Sequence, residues 1–202
     1  MSCEDENYAE CSANLSHDWR AIFIFLNSVA IVIALSGNVI ILLSIYQVRS
    51  LRTTSNIFIA SLAAADFVVA LLMYPTYIAL TATKKWFCSH AALYRMENFL
   101  WIQCLVTSTF TLCAISIDRL IAVTSAMLYK QIVTKRRCYY VVVSIWTSSL
   151  VFGCSPLLVD DRDKASIVWI VCLMLTVVIP LAIIIYCYVH IFRAAQEQKV
   201  KV

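Results

Sequence analysis

Five stretches of this chain carry almost no charge, and each is as long as a bilayer is thick. Residues 21–46 have no charged side chain over 26 positions. Residues 56–83 have one, Asp66, and residues 98–117 and 138–159 have none. Residues 165–192 hold only His190, which is normally neutral. A spanning helix needs roughly 20 apolar residues at about 1.5 Å rise each. Lipid tolerates only helices or closed barrels, and these runs lack the alternation that barrel strands require. An all-α membrane protein follows, with spans expected at about 21–46, 56–83, 91–123, 138–159 and 165–192. The remainder is an N-terminal segment, 1–20, and a tail, 193–202. The composition agrees: 62% hydrophobic and 14% charged residues leave too little polar surface for a water-soluble globule.

The basic residues orient the spans. With the N-terminus outside, ten Lys and Arg fall on inner segments and six on outer ones. The positive-inside rule then predicts an extracellular N-terminus and a cytoplasmic C-terminus. Asn14-Leu15-Ser16 is a glycosylation sequon on the outer side. Trp19, Trp86 and Trp169 fall at outer span ends, as an aromatic belt would. A net charge of +4 does not imply a nucleic-acid partner. Six of the nine cysteines (Cys104, Cys113, Cys138, Cys154, Cys172, Cys187) sit in apolar runs, where Cys behaves as a small hydrophobe. No zinc-ligand spacing or nucleophile–base constellation stands out, so neither an enzyme nor a cofactor is expected.

Polar residues at membrane depth are the candidates for function. Asp66 must face the bundle interior, either protonated and hydrogen-bonded to neighbours or holding an ion. Asn38, beside Gly37, has an amide to offer across helices, and Gly37 permits close backbone approach. Ser61, Ala64 and Ala65 form a small-residue face to receive it, and Ser108 lies mid-span in the third helix. Asp118-Arg119, at the inner end of that helix, reads as a helix-end ion pair with the arginine snorkelling to water.

In order along the chain, these residues resemble the rhodopsin-like (class A) G-protein-coupled receptors. Ser36-Gly37-Asn38-Val39 is similar to GNxxV, and 51–56 (LRTTSN) resembles the first inner loop. Residues 61–66 (SLAAAD) resemble SLAxAD, with Pro75 at the usual kink. Residues 112–119 (LCAISIDR) resemble the approach to the DRY motif. Trp146 and Pro156 match helix four, and Pro180 and Tyr188 match helix five.

The resemblance implies a plasma-membrane receptor that binds an extracellular ligand and activates a heterotrimeric G protein. It implies a sodium pocket at Asp66 and Ser108 with Asn38 nearby. Arg119, Asp118, Tyr129 and Tyr188 would serve coupling and activation, with 121–137 as the second inner loop. The switch would be an outward movement of helix six. Helices six and seven are not among these residues, so the resemblance implies a receptor cut after helix five. The alternative is a five-span partner that binds full-length receptors without signalling, as a heteromer in the membrane lipid.

Several positions depart from the family pattern. Leu120 replaces the DRY tyrosine, Ala126 replaces a loop proline, and Tyr94 stands where helix three usually has its cysteine. Cys88 is left either to pair with Cys3 or Cys11 or to remain a thiol. Trp101 occupies the place of the aspartate that holds ligand ammonium in amine receptors. Glu97, one turn earlier, reads first as a water-facing interface carboxylate and second as a cation anchor. Trp101 and Cys104 with Ser108, and Cys172 with Thr176, are ligand-contact candidates; for the last pair ordinary helix packing is the simpler reading. Tyr74 and Tyr77 either close an outer pocket or belong to the aromatic belt.

Overall fold

A computed structural model describes residues 17–83, 92–155 and 170–200. Helix α1 spans His17–Gln47 and α2 spans Ser55–Thr83, joined through a short 3-10 turn at Arg49–Leu51. Helix α3 covers Ala92–Thr124, the short α4 covers Tyr129–Ile132, and α5 covers Lys135–Cys154. A π-turn at Met174–Val178 leads into α6, Ile179–Val200. Among the described residues, four helices are long and apolar enough to cross a membrane: α1, α2, α3 and the segment running through the π-turn into α6. Helix α5, 20 residues long, opens on Lys135-Arg136-Arg137, which dilutes its apolar character. Cys3, Cys11, Asn14, Trp86, Cys88, Pro156 and Trp169 lie outside the described residues.

Helix α3 is the axis of the bundle. It packs against α2, α5 and α6, whereas α1 rests on α2. The polarity is that of a protein in lipid. Phe25, Val32, Ile33 and Ile40 of α1 are each at least 63% exposed, while Gln103, Thr107, Thr111, Ser116 and Ser149 are buried. In water, such an outer surface would drive aggregation; lipid accepts it. The interior uses small and hydroxyl residues because helices then approach closely and hydrogen-bond. Many of these hydroxyls donate to carbonyls one turn back, as Thr107 does to Gln103 at 2.8 Å and Thr111 to Thr107 at 2.6 Å. Those buried O–H groups are thereby satisfied within their own helix.

Close approach is visible where α5 crosses α3. A Cβ on Gly153 would come within 3.0 Å of the Phe99 ring and 3.3 Å of the Phe99 carbonyl oxygen. Gly37 is the opposite case. The sequence suggests a neighbouring backbone there, but nothing lies within 4 Å of its Cβ direction.

The π-turn has an evident source. Pro180 lacks an N–H and cannot bond the carbonyl four residues earlier, that of Thr176, so the helix widens just before it. Cys172, Thr176, Pro180 and Cys187 are all buried, the row that α6 and its preceding turn lay on α3.

Candidate functional site

The polar residues gather along α3 at three levels. At the Asp118 end, α3 presents a carboxyl group only 4% exposed. Ser55, the first residue of α2, donates its hydroxyl to Asp118 Oδ2 at 2.7 Å. Tyr129, the first residue of α4, donates to Asp118 Oδ1 at 2.8 Å. The two hydroxyl oxygens lie 2.9 Å apart. Three segments distant in sequence are thus pinned to one carboxylate. The loop holding Tyr129 is itself tied down: Arg137 Nη1 donates to the Ile132 carbonyl at 2.9 Å. Thr134 caps α5, its side chain accepting from the Arg137 backbone N–H.

This corrects the reading of Asp118-Arg119 as an ion pair. Among the described residues no ion pair joins them; Asp118 turns inward to Ser55 and Tyr129, and Arg119 is exposed. Neighbours on a helix point about 100° apart, so one residue can be buried while the next faces outward. Ser55 lies in the 51–56 stretch that resembles the first inner loop, but nothing in the sequence pairs it with Asp118.

At the middle level Asp66 of α2 is half-buried and faces Ser108 of α3, and Cys104, one turn along, lies beside Ser108 as well. Asn38 spends its amide N–H on the Ala34 carbonyl of its own helix, at 2.9 Å. The face expected to receive it has another partner: Trp146 Nε1 of α5 donates to Ser61 Oγ at 3.0 Å. Among the described residues no three His, Cys, Asp or Glu side chains cluster as a metal site.

At the third level Glu97 is buried, at 8% exposure, with the Tyr77 phenol of α2 beside it. It does not face water, which corrects the simpler sequence reading. A carboxyl group near a helix end takes a phenol partner when the neighbouring helix supplies one, because desolvation without a hydrogen bond is costly. Trp101 is 44% exposed. Cys172 and Thr176 are buried in helix packing, with Thr176 donating to the Cys172 carbonyl at 2.6 Å and Ser155 Oγ 3.7 Å from Cys172 Sγ. Tyr188 is 56% exposed on α6.

A bundle of apolar helices around a polar, hydroxyl-rich axis, with a buried Asp and an exposed Arg at one end, defines a multi-pass membrane protein. Comparison with known proteins narrows this. Residues 37–202 match the family "7 transmembrane receptor (rhodopsin family)". The octopamine receptor of Bombyx mori is 34% identical over 160 residues, covering 76% of this chain and 33% of that receptor. The alpha-2Db adrenergic receptor of Danio rerio is 30% identical over 209 residues, covering 98% of this chain and 49% of that protein. Melanopsin of Felis catus is 28% identical over 181 residues, covering 80% and 37%. The chain belongs to the rhodopsin family of seven-transmembrane receptors. It spans a third to a half of the length of these relatives.

Proposed function

We propose that the chain is part of a plasma-membrane receptor, N-terminus outside, that binds an extracellular ligand and promotes nucleotide exchange on a heterotrimeric G protein. The observation that carries this reading is the Asp118–Ser55–Tyr129 cluster with Arg119 exposed beside it. The cluster holds the α3 end, the start of α2 and the following loop as one surface. Arg119 is then the cation free to meet a partner at that surface. Tyr188, also exposed, is the second group available for the active arrangement.

Ligand acts by binding one arrangement of the helices more tightly than the other. The octopamine and adrenergic relatives are named for amines. Trp101 supplies no carboxylate, so an amine held by a carboxylate at that position is disfavoured. Glu97, beside Tyr77, is the acidic group at that end of α3 and the candidate contact for a cationic ligand group. Asp66 and Ser108 would supply two oxygen ligands to a sodium ion, with water and other groups completing its shell.

The test is nucleotide exchange on purified G protein by the full receptor containing this chain. Arg119→Ala should abolish both basal and ligand-driven exchange while leaving surface expression intact. Unchanged exchange would sink the reading. If the 202-residue chain instead lowers surface delivery of a co-expressed full-length receptor, the non-signalling heteromer is the better account.

A further inference from the structure

Two thiols meet between α3 and α6. Cys187 is 2% exposed, on the row of buried residues that α6 and its preceding turn lay on α3. Cys113 of α3 is half-buried and lies beside it. The register of the helices brings the two level. At the far end of α5, Gly153 rests on Phe99, and Ser155, two residues on, reaches Cys172 with its Oγ 3.7 Å from Sγ. Phe99 and Cys172 thus stand at similar heights. Cys113 is 14 residues beyond Phe99, and Cys187 is 15 residues beyond Cys172. The π-turn at Met174–Val178 absorbs the extra residue. Both thiols therefore lie about 21 Å along the bundle from that level, at about 1.5 Å per residue. A disulfide needs Cα atoms within about 7 Å, a separation that spanning helices reach where small side chains face each other.

The surroundings select the chemistry. Disulfides ordinarily form through a thiolate, and an anionic sulfur is costly at membrane depth. Aqueous peroxide and charged thiols are therefore poor reagents for this pair. Abstraction of a hydrogen atom creates no charge, and peroxyl radicals of unsaturated acyl chains arise in the bilayer itself. We propose that lipid peroxyl radicals oxidise Cys113 and Cys187 to a disulfide that fastens α3 to α6. Cys113, the more exposed thiol, is the point of entry. One radical takes its hydrogen atom. The Cys113 thiyl then takes hydrogen from Cys187, a second radical removes that hydrogen from Cys113, and the two thiyls join. Two thiols and two peroxyl radicals give one S–S bond and two lipid hydroperoxides. The bond ties the helix bearing Arg119 to the helix bearing Tyr188.

The test places the 202-residue chain in vesicles of dilinoleoyl phosphatidylcholine and adds a lipid-soluble azo initiator under air. Digestion and mass spectrometry without reductant should find a peptide pair joined through Cys113 and Cys187. Cys113→Ser and Cys187→Ser should each abolish that pair, whereas Cys154→Ser, which removes an exposed thiol at the far end of α5, should keep it. Hydrogen peroxide added to the water, in equal oxidising equivalents, should give at least about tenfold less of the linked pair. Circular dichroism must show unchanged helicity for each variant that is scored. Three results on the unmodified chain would overturn the proposal: no linked pair after the initiator, Cys113 joined mainly to a different cysteine, or equal yields from the lipid radical and the aqueous peroxide.

Discussion

Replacing Tyr129 with Phe isolates the hydroxyl that ties α4 to α3. The proton accounting sets the size of the effect. Around Asp118 there are three close oxygen contacts, at 2.7, 2.8 and 2.9 Å, but only two hydroxyl protons, one from Ser55 and one from Tyr129. Both protons go to the carboxylate, so the Ser55–Tyr129 contact is not a third hydrogen bond. Tyr129→Phe therefore removes one bond to a charged acceptor, about 1.5–3 kcal/mol. Asp118 is only 4% exposed, so water is poorly placed to replace it, and about 2 kcal/mol is the expected loss. For a chain of 202 residues this corresponds to a fall in Tm of about 4–8 °C. Thermal unfolding in detergent, followed by circular dichroism, reads it directly. The decisive comparison is the same substitution in an Asp118→Ala background, where Tyr129→Phe should cost almost nothing because its acceptor is gone. A full-sized loss in that background would show that Tyr129 acts through something other than Asp118.

The two glycines should respond in opposite directions. Gly153→Ala places a Cβ 3.0 Å from the Phe99 ring and should cost about 1–2 kcal/mol in thermal unfolding, recovered in part by Phe99→Leu. Gly37→Ala meets nothing within 4 Å and should stabilise the chain by up to about 1 kcal/mol through helix propensity; a loss there would mean that Gly37 has a neighbour after all. Trp146→Phe and Ser61→Ala each break the 3.0 Å bond between α5 and α2 and should each cost about 1 kcal/mol, the double variant costing less than the sum. Strict additivity in that pair would show that the bond contributes nothing.

The helices were legible because their cause is local. Charge-free runs longer than a bilayer have no other stable form in lipid, and among the described residues four helices are long and apolar enough to cross one. Start and stop points were softer. Helix α5 begins at Lys135 rather than Cys138, because Thr134 provides a cap that hydropathy does not register. The π-turn before Pro180 needed the backbone to reveal it, although the missing N–H that causes it is written in the chain.

The candidate site divides along the same line. The sequence by itself determined that Asp66 and Ser108 stand at membrane depth, with Glu97 and Asp118 toward the two ends of the third span. Motif register determined their family. Tertiary structure decided which partner each one takes. Asp118 could have faced Arg119, its neighbour in sequence, and instead faces Ser55 and Tyr129. Asn38 could have crossed to α2, yet Trp146 holds Ser61. Glu97 could have met water, yet Tyr77 lies against it. The reason is common to all three. In lipid a polar group must find a hydrogen bond, so its presence inside the bundle is a local property of the chain. Which hydrogen bond it finds depends on how neighbouring helices are rotated and how closely they approach, and packing across the whole bundle sets both.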